Sequence, residues 1–317
     1  MRHGGVEWVH GRPLKIDDFS VNLNPLGTPE FIDELIRDAL MNKVYSYYPP
    51  LQLRDIKEFI ADLYNVDISL VGIFNGASEV ISLLEPCNVP EPNYSEYKRA
   101  GSYYAMESDD IFIYSLEGSC VITSNPVNPT GSFVEREKII DFLSNGGKLI
   151  LDESFADISL IEPNYDLASE FDNLLFISSF TKSLAIPGLR IGFTIGKRSK
   201  ELEDKSPPWR LNSIAYYVFS NLHAKEVRDF FRKSKDHLSS LISGLSSPFK
   251  IYKTVAPFVL VKFPIPATRV NQMLRPLGYQ IRDSEGFKGL NEFYGRVAVK
   301  HNTNVLFKKI YDLVSIQ

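Results

Sequence analysis

A lysine follows a run of hydroxyl residues at the end of a β-rich segment, in Ser178-Ser179-Phe180-Thr181-Lys182. A lysine at a strand end, flanked by apolar residues, can be desolvated, which lowers its pKa and exposes a nucleophilic amine. A proline-glycine turn then leads to Arg190, whose guanidinium can join the hydroxyl groups as hydrogen-bond donors to a phosphate dianion. The segment therefore predicts a reactive amine beside an anion site. The plainer interpretation is a solvated lysine and a structural arginine.

A carboxylate ends another apolar segment, where Asp152 follows Lys148-Leu149-Ile150-Leu151. A carboxylate buried at a strand terminus needs a cationic partner. The protonated ring nitrogen of a bound cofactor is such a partner, and its ionisation turns the ring into an electron sink. The alternative is that Asp152 caps the following turn.

Three loops carry further polar or aromatic groups. In Asn125-Pro126-Val127-Asn128-Pro129-Thr130-Gly131 the prolines restrict the backbone, so the amide of Asn128 could donate to a phenolate oxygen. Asn75-Gly76-Ala77-Ser78 lies where a strand pattern changes to a helix pattern, and helix N-termini bind phosphate. Tyr94 follows Pro92-Asn93 and could stack on a planar ring. Taken singly, these features also fit a turn, an N-cap and a packing residue.

The segments that must position these groups alternate between β-rich and helical patterns. The β-rich runs are Leu70–Phe74, Ile111–Tyr114, Cys120–Ser124, Lys148–Leu151, Leu174–Ser178 and Arg190–Ile195. Their alternation predicts an α/β domain with a largely parallel sheet covered on both faces. Ligands of such sheets bind at the carboxyl ends of the strands, which is where the groups above are expected.

Pro207-Pro208 marks a plausible boundary in the chain. We predict an N-terminal arm with part of a small domain over residues 1–43, a large cofactor-binding domain over 44–205 and a small α+β domain over 206–317. The helical patterns lie near 29–40, 51–64, 212–222, 226–244 and 303–314, and further strands are expected near 257–263, 279–282 and 295–299.

Composition excludes several classes of function. The net charge of −4 and the pI near 5.8 leave no electrostatic footprint for nucleic acid. No apolar run approaches the roughly 20 residues of a membrane span, and the polar N-terminus does not resemble a signal peptide. Cys87 and Cys120 lie far apart without metal-ligand spacing, so we expect two reduced packing residues in a cytoplasmic protein.

The motifs in their order resemble the fingerprint of the class I/II aminotransferases, and the resemblance spans nearly the whole chain. They are Gly-Ala-Ser, Pro-Asn-Tyr, Asn-Pro-X-Asn-Pro-Thr-Gly, Asp-Glu, and Ser-X-Thr-Lys followed by Gly-Leu-Arg-X-Gly. The resemblance implies the fold type I of enzymes that depend on pyridoxal 5′-phosphate (PLP), with Lys182 as the Schiff-base lysine. The implied cofactor contacts are Tyr48, Ala77, Ser78, Tyr94, Asn128, Asp152, Ser179, Lys182 and Arg190.

The same resemblance implies a role for each contact. Asp152 would pair with the ring nitrogen, Asn128 would bond the ring oxygen, and Tyr94 would stack on the ring. The phosphate would be held by Ala77, Ser78, Ser179 and Arg190. Tyr48 would reach the phosphate of a neighbouring subunit, which implies a homodimer.

The two ends of the chain carry a narrower resemblance. His3-Gly4-Gly5, the stretch Asp18–Gly27 and Pro208-Trp209 are similar to the L-threonine-O-3-phosphate decarboxylases of cobalamin synthesis, which are close to histidinol-phosphate aminotransferases. This implies a phosphorylated amino-acid substrate, with Arg296 on its α-carboxylate. The implied substrate contacts are His3, Gly4, Asn22, Asn128, Arg282 and Arg296.

PLP fixes the electron sink, whereas the protein chooses which Cα bond breaks. We expect decarboxylation, and Phe155 favours it because most related aminotransferases carry a tyrosine there. The alternatives are a transaminase acting on histidinol phosphate, with Lys182 as general base, and a PLP-binding regulator. Two departures from the decarboxylase pattern are Lys300 in place of an arginine and a shortened segment between Tyr97 and Cys120, where little more than one strand is expected.

Overall fold

The computed structural model describes residues 3–315 of the 317-residue chain. Its α-helices are α1 (Glu30–Met41), α2 (Arg54–Tyr64), α3 (Ala77–Leu83), α4 (Arg136–Ser144), α5 (Phe180–Ser183), α6 (Ser199–Lys205), α7 (Ser213–Ser220), α8 (Ala224–Ser243), α9 (Ala267–Leu274) and α10 (Thr303–Ser315). None of these helices is both long and apolar enough to cross a bilayer.

Several of the strands contain only two residues. In chain order they are β1 (Trp8–Val9), β2 (Arg12–Pro13), β3 (Asp17–Asp18), β4 (Val71–Phe74), β5 (Cys87–Glu91), β6 (Arg99–Tyr104), β7 (Met106–Ser108), β8 (Ile111–Ile113), β9 (Cys120–Ser124), β10 (Lys148–Asp152), β11 (Leu174–Ser179), β12 (Gly192–Ile195), β13 (Lys250–Ile251), β14 (Phe258–Lys262), β15 (Tyr279–Gln280), β16 (Arg282–Asp283) and β17 (Tyr294–Ala298).

The central sheet has the strand order β4-β12-β11-β10-β9-β5-β6. Its strands run parallel except for β12, which is antiparallel to both β11 and β4. Successive residues of one strand face opposite sides of a sheet. Accordingly Leu149 and Leu151 belong to the apolar cluster that includes residues of α2, α4 and α7, whereas Ile150 belongs to the cluster that includes residues of α3 and α6. The predicted α/β fold with a mostly parallel sheet covered on both faces is confirmed.

A second, antiparallel sheet of order β13-β14-β17-β16 has its own core. Residues of α9 and α10 pack on it, and so does Phe19 of the N-terminal segment, which is fully buried. Strand β3 pairs in parallel with β15, and the backbone of Phe19 accepts a hydrogen bond from Ala298. The N-terminal segment therefore packs with the C-terminal part of the chain; the division into three segments given above stays a prediction.

The expectation for the two cysteines is wrong. Cys87 and Cys120 form a disulfide bond. They begin β5 and β9, which are neighbours in the central sheet with Asn88 paired to Val121. Residues 33 positions apart in sequence thus become adjacent, because strand order rather than chain separation sets their distance.

The segment between Tyr97 and Cys120 holds more structure than the one strand expected. It contains β6 at the edge of the central sheet and an antiparallel hairpin of β7 and β8. The β-rich pattern at Ile111–Tyr114 therefore belongs to this hairpin and not to the central sheet. On β7, Glu107 accepts hydrogen bonds from the hydroxyls of Tyr252 and Tyr294, so the hairpin bonds to the second sheet.

Candidate active site

One cavity at the carboxyl ends of the central strands collects most of the residues singled out from the sequence. Asp152 pairs in register with Ser124 of β9 and with Ile177 of β11, so neighbouring strands end at the same edge. The predicted residues that line this cavity are His3, Gly4, Asn22, Ala77, Ser78, Tyr94, Asn128, Asp152, Ser179, Lys182, Arg190 and Arg296. Of the predicted set, only Tyr48 and Arg282 lie outside it.

Lys182 lies in the one-turn helix α5, directly after β11. Burial lowers the pKa of Lys182 to about 8, and the positive charges of Arg296 and Arg190 act in the same direction, against the weaker effect of Asp152. Among the described residues, no side chain forms a hydrogen bond or an ion pair with its ammonium group. A large fraction of the amine is therefore neutral at mildly alkaline pH, as a nucleophile requires.

Asp152 is buried at the end of β10 and is held by two hydrogen-bond donors. The hydroxyl of Tyr97 donates to its Oδ2 at 2.8 Å, and the backbone N–H of Ser154 donates to its Oδ1 at 3.0 Å. Burial raises the pKa of Asp152, while the bonds to Ser154 and Tyr97 and the charge of Lys182 oppose that rise. A carboxylate in this setting gains most from a cation placed in the cavity.

Arg296 is a buried cation that lines the same cavity. Its Nη1 donates to Oδ1 of Asn128 at 2.5 Å, and its Nη2 donates to the carbonyl of Ser20 at 2.7 Å. With the Asn22 amide oxygen turned toward the guanidinium, that oxygen accepts from Nε at 3.0 Å. Burial and the neighbouring Arg282 lower the pKa of Arg296 to about 9, so it stays positively charged at neutral pH.

Asn128 connects Arg296 with the sheet edge. Its backbone N–H donates to the Ser124 hydroxyl at 2.9 Å. Because its Oδ1 already accepts from Arg296, its Nδ2 is the group left to donate into the cavity.

The part of the cavity predicted to bind a phosphate is formed by Ala77, Ser78, Ser179, Thr181 and Arg190. Ser179 caps α5 by accepting from the Thr181 N–H, and its hydroxyl lies 2.8 Å from the Ile191 carbonyl. Arg190 has a left-handed backbone, with φ of 58°. This conformation carries its guanidinium over Gly76, where an added Cβ would lie 2.5 Å from Nη2.

Tyr94 reaches the cavity on the loop after β5, and this loop is clamped by a buried ion pair. Arg99 bonds Glu91 at 2.6 Å and also donates to the carbonyls of Tyr94 and Ser95. Glu91 in turn accepts from the N–H of Asn93. The ring of Tyr94 meets Tyr97 edge to face, with 5.5 Å between centroids.

The two predicted residues outside the cavity have other surroundings. Tyr48 is 79% exposed and contacts Trp209 at 4.8 Å between ring centroids, with the two rings tilted by 39°. Arg282 is buried next to the site, paired across the second sheet with Arg296. Its guanidinium bonds the carboxylate of Asp283 at 2.8 Å, so its charge is partly neutralised.

Sequence reasoning missed several residues of the cavity. Ser20, Tyr97, Ser124 and Ser154 line it but were not among the predicted site residues, although Ser20 lies within the motif Asp18–Gly27. A signal for Tyr97 was present, because it follows Tyr94 at a three-residue spacing in Asn93-Tyr94-Ser95-Glu96-Tyr97. Ser20 became part of the site only through contacts between the N-terminal segment and the second sheet.

Comparison with known proteins agrees with this geometry. Residues 15–249 match the family described as aminotransferase class I and II. The chain belongs to this family. A protein of Caldanaerobacter subterraneus described as a threonine-phosphate decarboxylase is 29% identical over 316 residues, covering 88% of this chain and 84% of its own. A histidinol-phosphate aminotransferase of Thermoanaerobacter pseudethanolicus is 27% identical over 312 residues, covering 89% of this chain and 88% of its own.

A solved structure shows the same fold. Histidinol-phosphate aminotransferase from Sinorhizobium meliloti, in complex with pyridoxal 5′-phosphate, superposes with a TM-score of 0.74 at 18% identity. The match covers 96% of this chain and 93% of that one. The resemblance seen in the motifs is thereby confirmed for the fold and for the family.

PLP is the cofactor of this aminotransferase-family enzyme, and the residues of the cavity fit it. Asp152 is a buried carboxylate suited to a protonated ring nitrogen. Nδ2 of Asn128 makes no hydrogen bond within residues 3–315, so it can donate to the ring oxygen. Ser78 and Arg190 offer donors for a phosphate in the same cavity, whereas the Ser179 hydroxyl donates to the Ile191 carbonyl at 2.8 Å. Ser154 Oγ is buried without a hydrogen-bond partner among the described residues, as expected of a group that faces a ligand.

Proposed function

We propose that this PLP enzyme decarboxylates a phosphorylated amino acid, L-threonine O-3-phosphate, to aminopropanol phosphate and carbon dioxide. The observation that carries the proposal is that His3 and Gly4 line the same cavity as Lys182 and Arg296. The cavity thus offers a cation for an α-carboxylate and, at its N-terminal side, polar groups for a second anion. The similarity to a protein described as a threonine-phosphate decarboxylase supports the same assignment.

Each residue of the site would have a distinct task. Bound PLP would supply the electron sink for the electron pair of a breaking Cα bond. Asp152 would keep the ring nitrogen protonated, and Tyr94 would stack on the face of the ring. Arg296 would orient the α-carboxylate, and Lys182, displaced by the substrate amine, would carry a proton at Nζ to or from Cα.

The substrate phosphate needs cations at a distance from the ring. His3 lines the cavity, and its Nε2 lies 3.3 Å from the carboxylate of Glu96. Arg282 would join it by exchanging part of its contact with Asp283 for the phosphate. Lys300, at the position where the decarboxylases carry an arginine, bonds Asp17 at 2.9 Å outside the cavity and has no part in this assignment.

The second candidate is a transaminase that acts on histidinol phosphate, favoured by the similarity to aminotransferases of that name. The two reactions share the PLP residues and differ in the bond at Cα that is broken. Decarboxylation needs no keto acid, whereas transamination requires one to accept the amino group.

One incubation distinguishes the two. We expect purified holoenzyme to release carbon dioxide and aminopropanol phosphate from phosphothreonine at equal rates with and without 2-oxoglutarate, measured by gas release and product mass. Boiled enzyme is the control. Conversion of histidinol phosphate only when 2-oxoglutarate is present, with no carbon dioxide from phosphothreonine, would replace the decarboxylase by the transaminase.

A further inference from the structure

Ser20 is a fully buried serine whose hydroxyl uses every hydrogen bond it can form. Its Oγ donates to Oδ1 of Asp18 at 2.5 Å. It accepts from the backbone N–H of Gly5 at 2.9 Å and from Nε2 of Gln280 at 3.0 Å. A hydroxyl has one proton and two lone pairs, so these three contacts saturate it.

These contacts fix residues 3–5 to the rest of the protein. These three residues are called the arm below, a shorter segment than the N-terminal arm predicted from the sequence. Gln280, on β15, also donates to the carbonyl of Gly5 at 2.9 Å, so Gly5 is held at both its N–H and its C=O. Gly4 packs directly on Ser20, because a Cβ added to Gly4 would lie 2.3 Å from the Ser20 carbonyl oxygen. The close approach explains the glycine at this position without any need for an unusual φ.

The same serine contacts the site arginine. The carbonyl of Ser20 accepts from Nη2 of Arg296 at 2.7 Å. Its side chain therefore holds the arm while its main chain holds the guanidinium, and both His3 and Gly4 line the cavity with Arg296. Ser20 therefore links Arg296 with the N-terminal residues of the cavity wall.

We propose that Ser20 is a positioning residue that fixes the arm of residues 3–5 at the wall of the cavity. The arm then contributes to recognition of the distal anion of the substrate. The second statement rests on the proposed function, whereas the docking of the arm by Ser20 does not.

The experiment compares three variants of the PLP-loaded protein. Ser20→Ala removes the hydroxyl, and Gly4→Ala expels the arm by steric overlap while leaving the hydroxyl intact. Ser159→Ala is the matched control, because Ser159 is also fully buried but its hydroxyl bonds Ala156 within its own loop. Hydrogen exchange of the N-terminal peptide, measured by mass spectrometry, reports on the arm without any substrate.

In Ser20→Ala and Gly4→Ala we expect faster exchange in the peptide that contains Gly5, with the PLP absorption unchanged. We also expect KM for phosphothreonine to rise about tenfold with little change in kcat, because the contacts to Arg296 and PLP remain. Ser159→Ala should change neither the exchange of that peptide nor KM. A loss of stability alone would not produce this selective rise in KM.

Two results would overturn the proposal: unchanged exchange of the arm in Gly4→Ala and Ser20→Ala, or faster exchange with an unchanged KM. If Ser20→Ala does not fold, Gly4→Ala alone decides, since its change lies in the arm. If the enzyme proves to be a transaminase, the exchange result is unaffected and KM is measured with histidinol phosphate, so the two failures are distinguishable.

Discussion

Lys182 lies between two arginines in a cavity that disfavours its charged form. Its pKa falls to about 8 through burial first and through Arg296 and Arg190 second. The unfolded chain holds that lysine near its ordinary pKa of roughly 10.4. Below pH 8 the ammonium group of Lys182 is buried and charged in the folded, PLP-free protein, and this lowers the free energy of unfolding. A lysine paired with a carboxylate would raise it instead.

We predict that Lys182→Met stabilises the PLP-free protein. At pH 7 the free energy of unfolding should rise by roughly 2–3 kcal/mol, because methionine fills similar space without a charge. The gain should shrink as pH rises from 8 toward 10.5, since the unfolded lysine then loses its proton too. Urea denaturation at pH 7 and pH 9.5 measures this, and borohydride should no longer fix PLP to the variant.

Exposed Lys148 provides the control for this prediction. Lys148→Met removes a lysine at the start of β10 and should change the free energy of unfolding by less than about 0.5 kcal/mol. Equal or lower stability of Lys182→Met at pH 7, with a normal Lys148→Met, would contradict the electrostatic account of the site.

Strand β12 is the element that brings the phosphate side of the site together. It runs antiparallel between β11 and β4, so its first residue, Gly192, pairs with both Ser179 and Phe74. A Cβ on Gly192 would lie 2.4 Å from the carbonyl carbon of Gly76 and 2.5 Å from the N of Ala77. The absence of a side chain at Gly192 therefore allows the loop of Gly76 to approach the loop of Lys182.

Gly192→Ala should separate these two loops. We expect a loss of about 1–3 kcal/mol in the free energy of unfolding and at least about tenfold weaker PLP binding, because backbone atoms must move. Gly188→Ala is the control within the same loop, since nothing lies within 4 Å of its added Cβ and its φ is not strained. Urea denaturation measures the free energy of unfolding, and fluorescence titration measures the PLP affinity of each variant. Equal PLP affinity in the two variants would refute the steric argument.

At the scale of the whole molecule, an exposed aromatic patch surrounds Tyr48. Tyr45, Tyr47, Tyr48 and Trp209 are each about half exposed or more. Clustered aromatics on a surface mark an interaction site, and a two-fold dimer would use this patch twice. Tyr48 does not reach the cavity of its own chain, so its predicted contact with a cofactor phosphate requires a second copy.

We therefore predict a homodimer in which Tyr48→Phe weakens PLP binding about fivefold to tenfold without dissociating the subunits. One hydrogen bond to a charged phosphate would be lost, whereas the ring that packs in the interface would remain. Sedimentation velocity gives the subunit number and titration gives the PLP affinity; Tyr47→Phe, a neighbouring exposed tyrosine, should match the unaltered protein. A fully active monomer would disprove the shared site.

The sequence by itself indicated the class of fold through its alternating patterns, and it indicated PLP chemistry through its resemblance to the class I/II aminotransferases. Lys182, Asp152 and Asn128 each follow a β-rich segment, and parallel strands place their carboxyl ends at one edge. Local periodicity was also sufficient to predict α1, α2, α7, α8 and α10 close to their observed bounds. These features depend on neighbours within a few residues, which is the range over which a single sequence can be interpreted.

Only the tertiary structure decided the contacts between distant segments. Cys87 meets Cys120 because β5 lies beside β9, and Ser20 meets Gly5 and Gln280 because the N-terminal segment pairs with β15. The tertiary structure also showed that Arg282 lies outside the cavity and bonds Asp283, whereas the resemblance implied that Arg282 contacts the substrate. Such contacts depend on strand order and on the packing of one sheet against another, and residue types or spacing along the chain do not fix either of these.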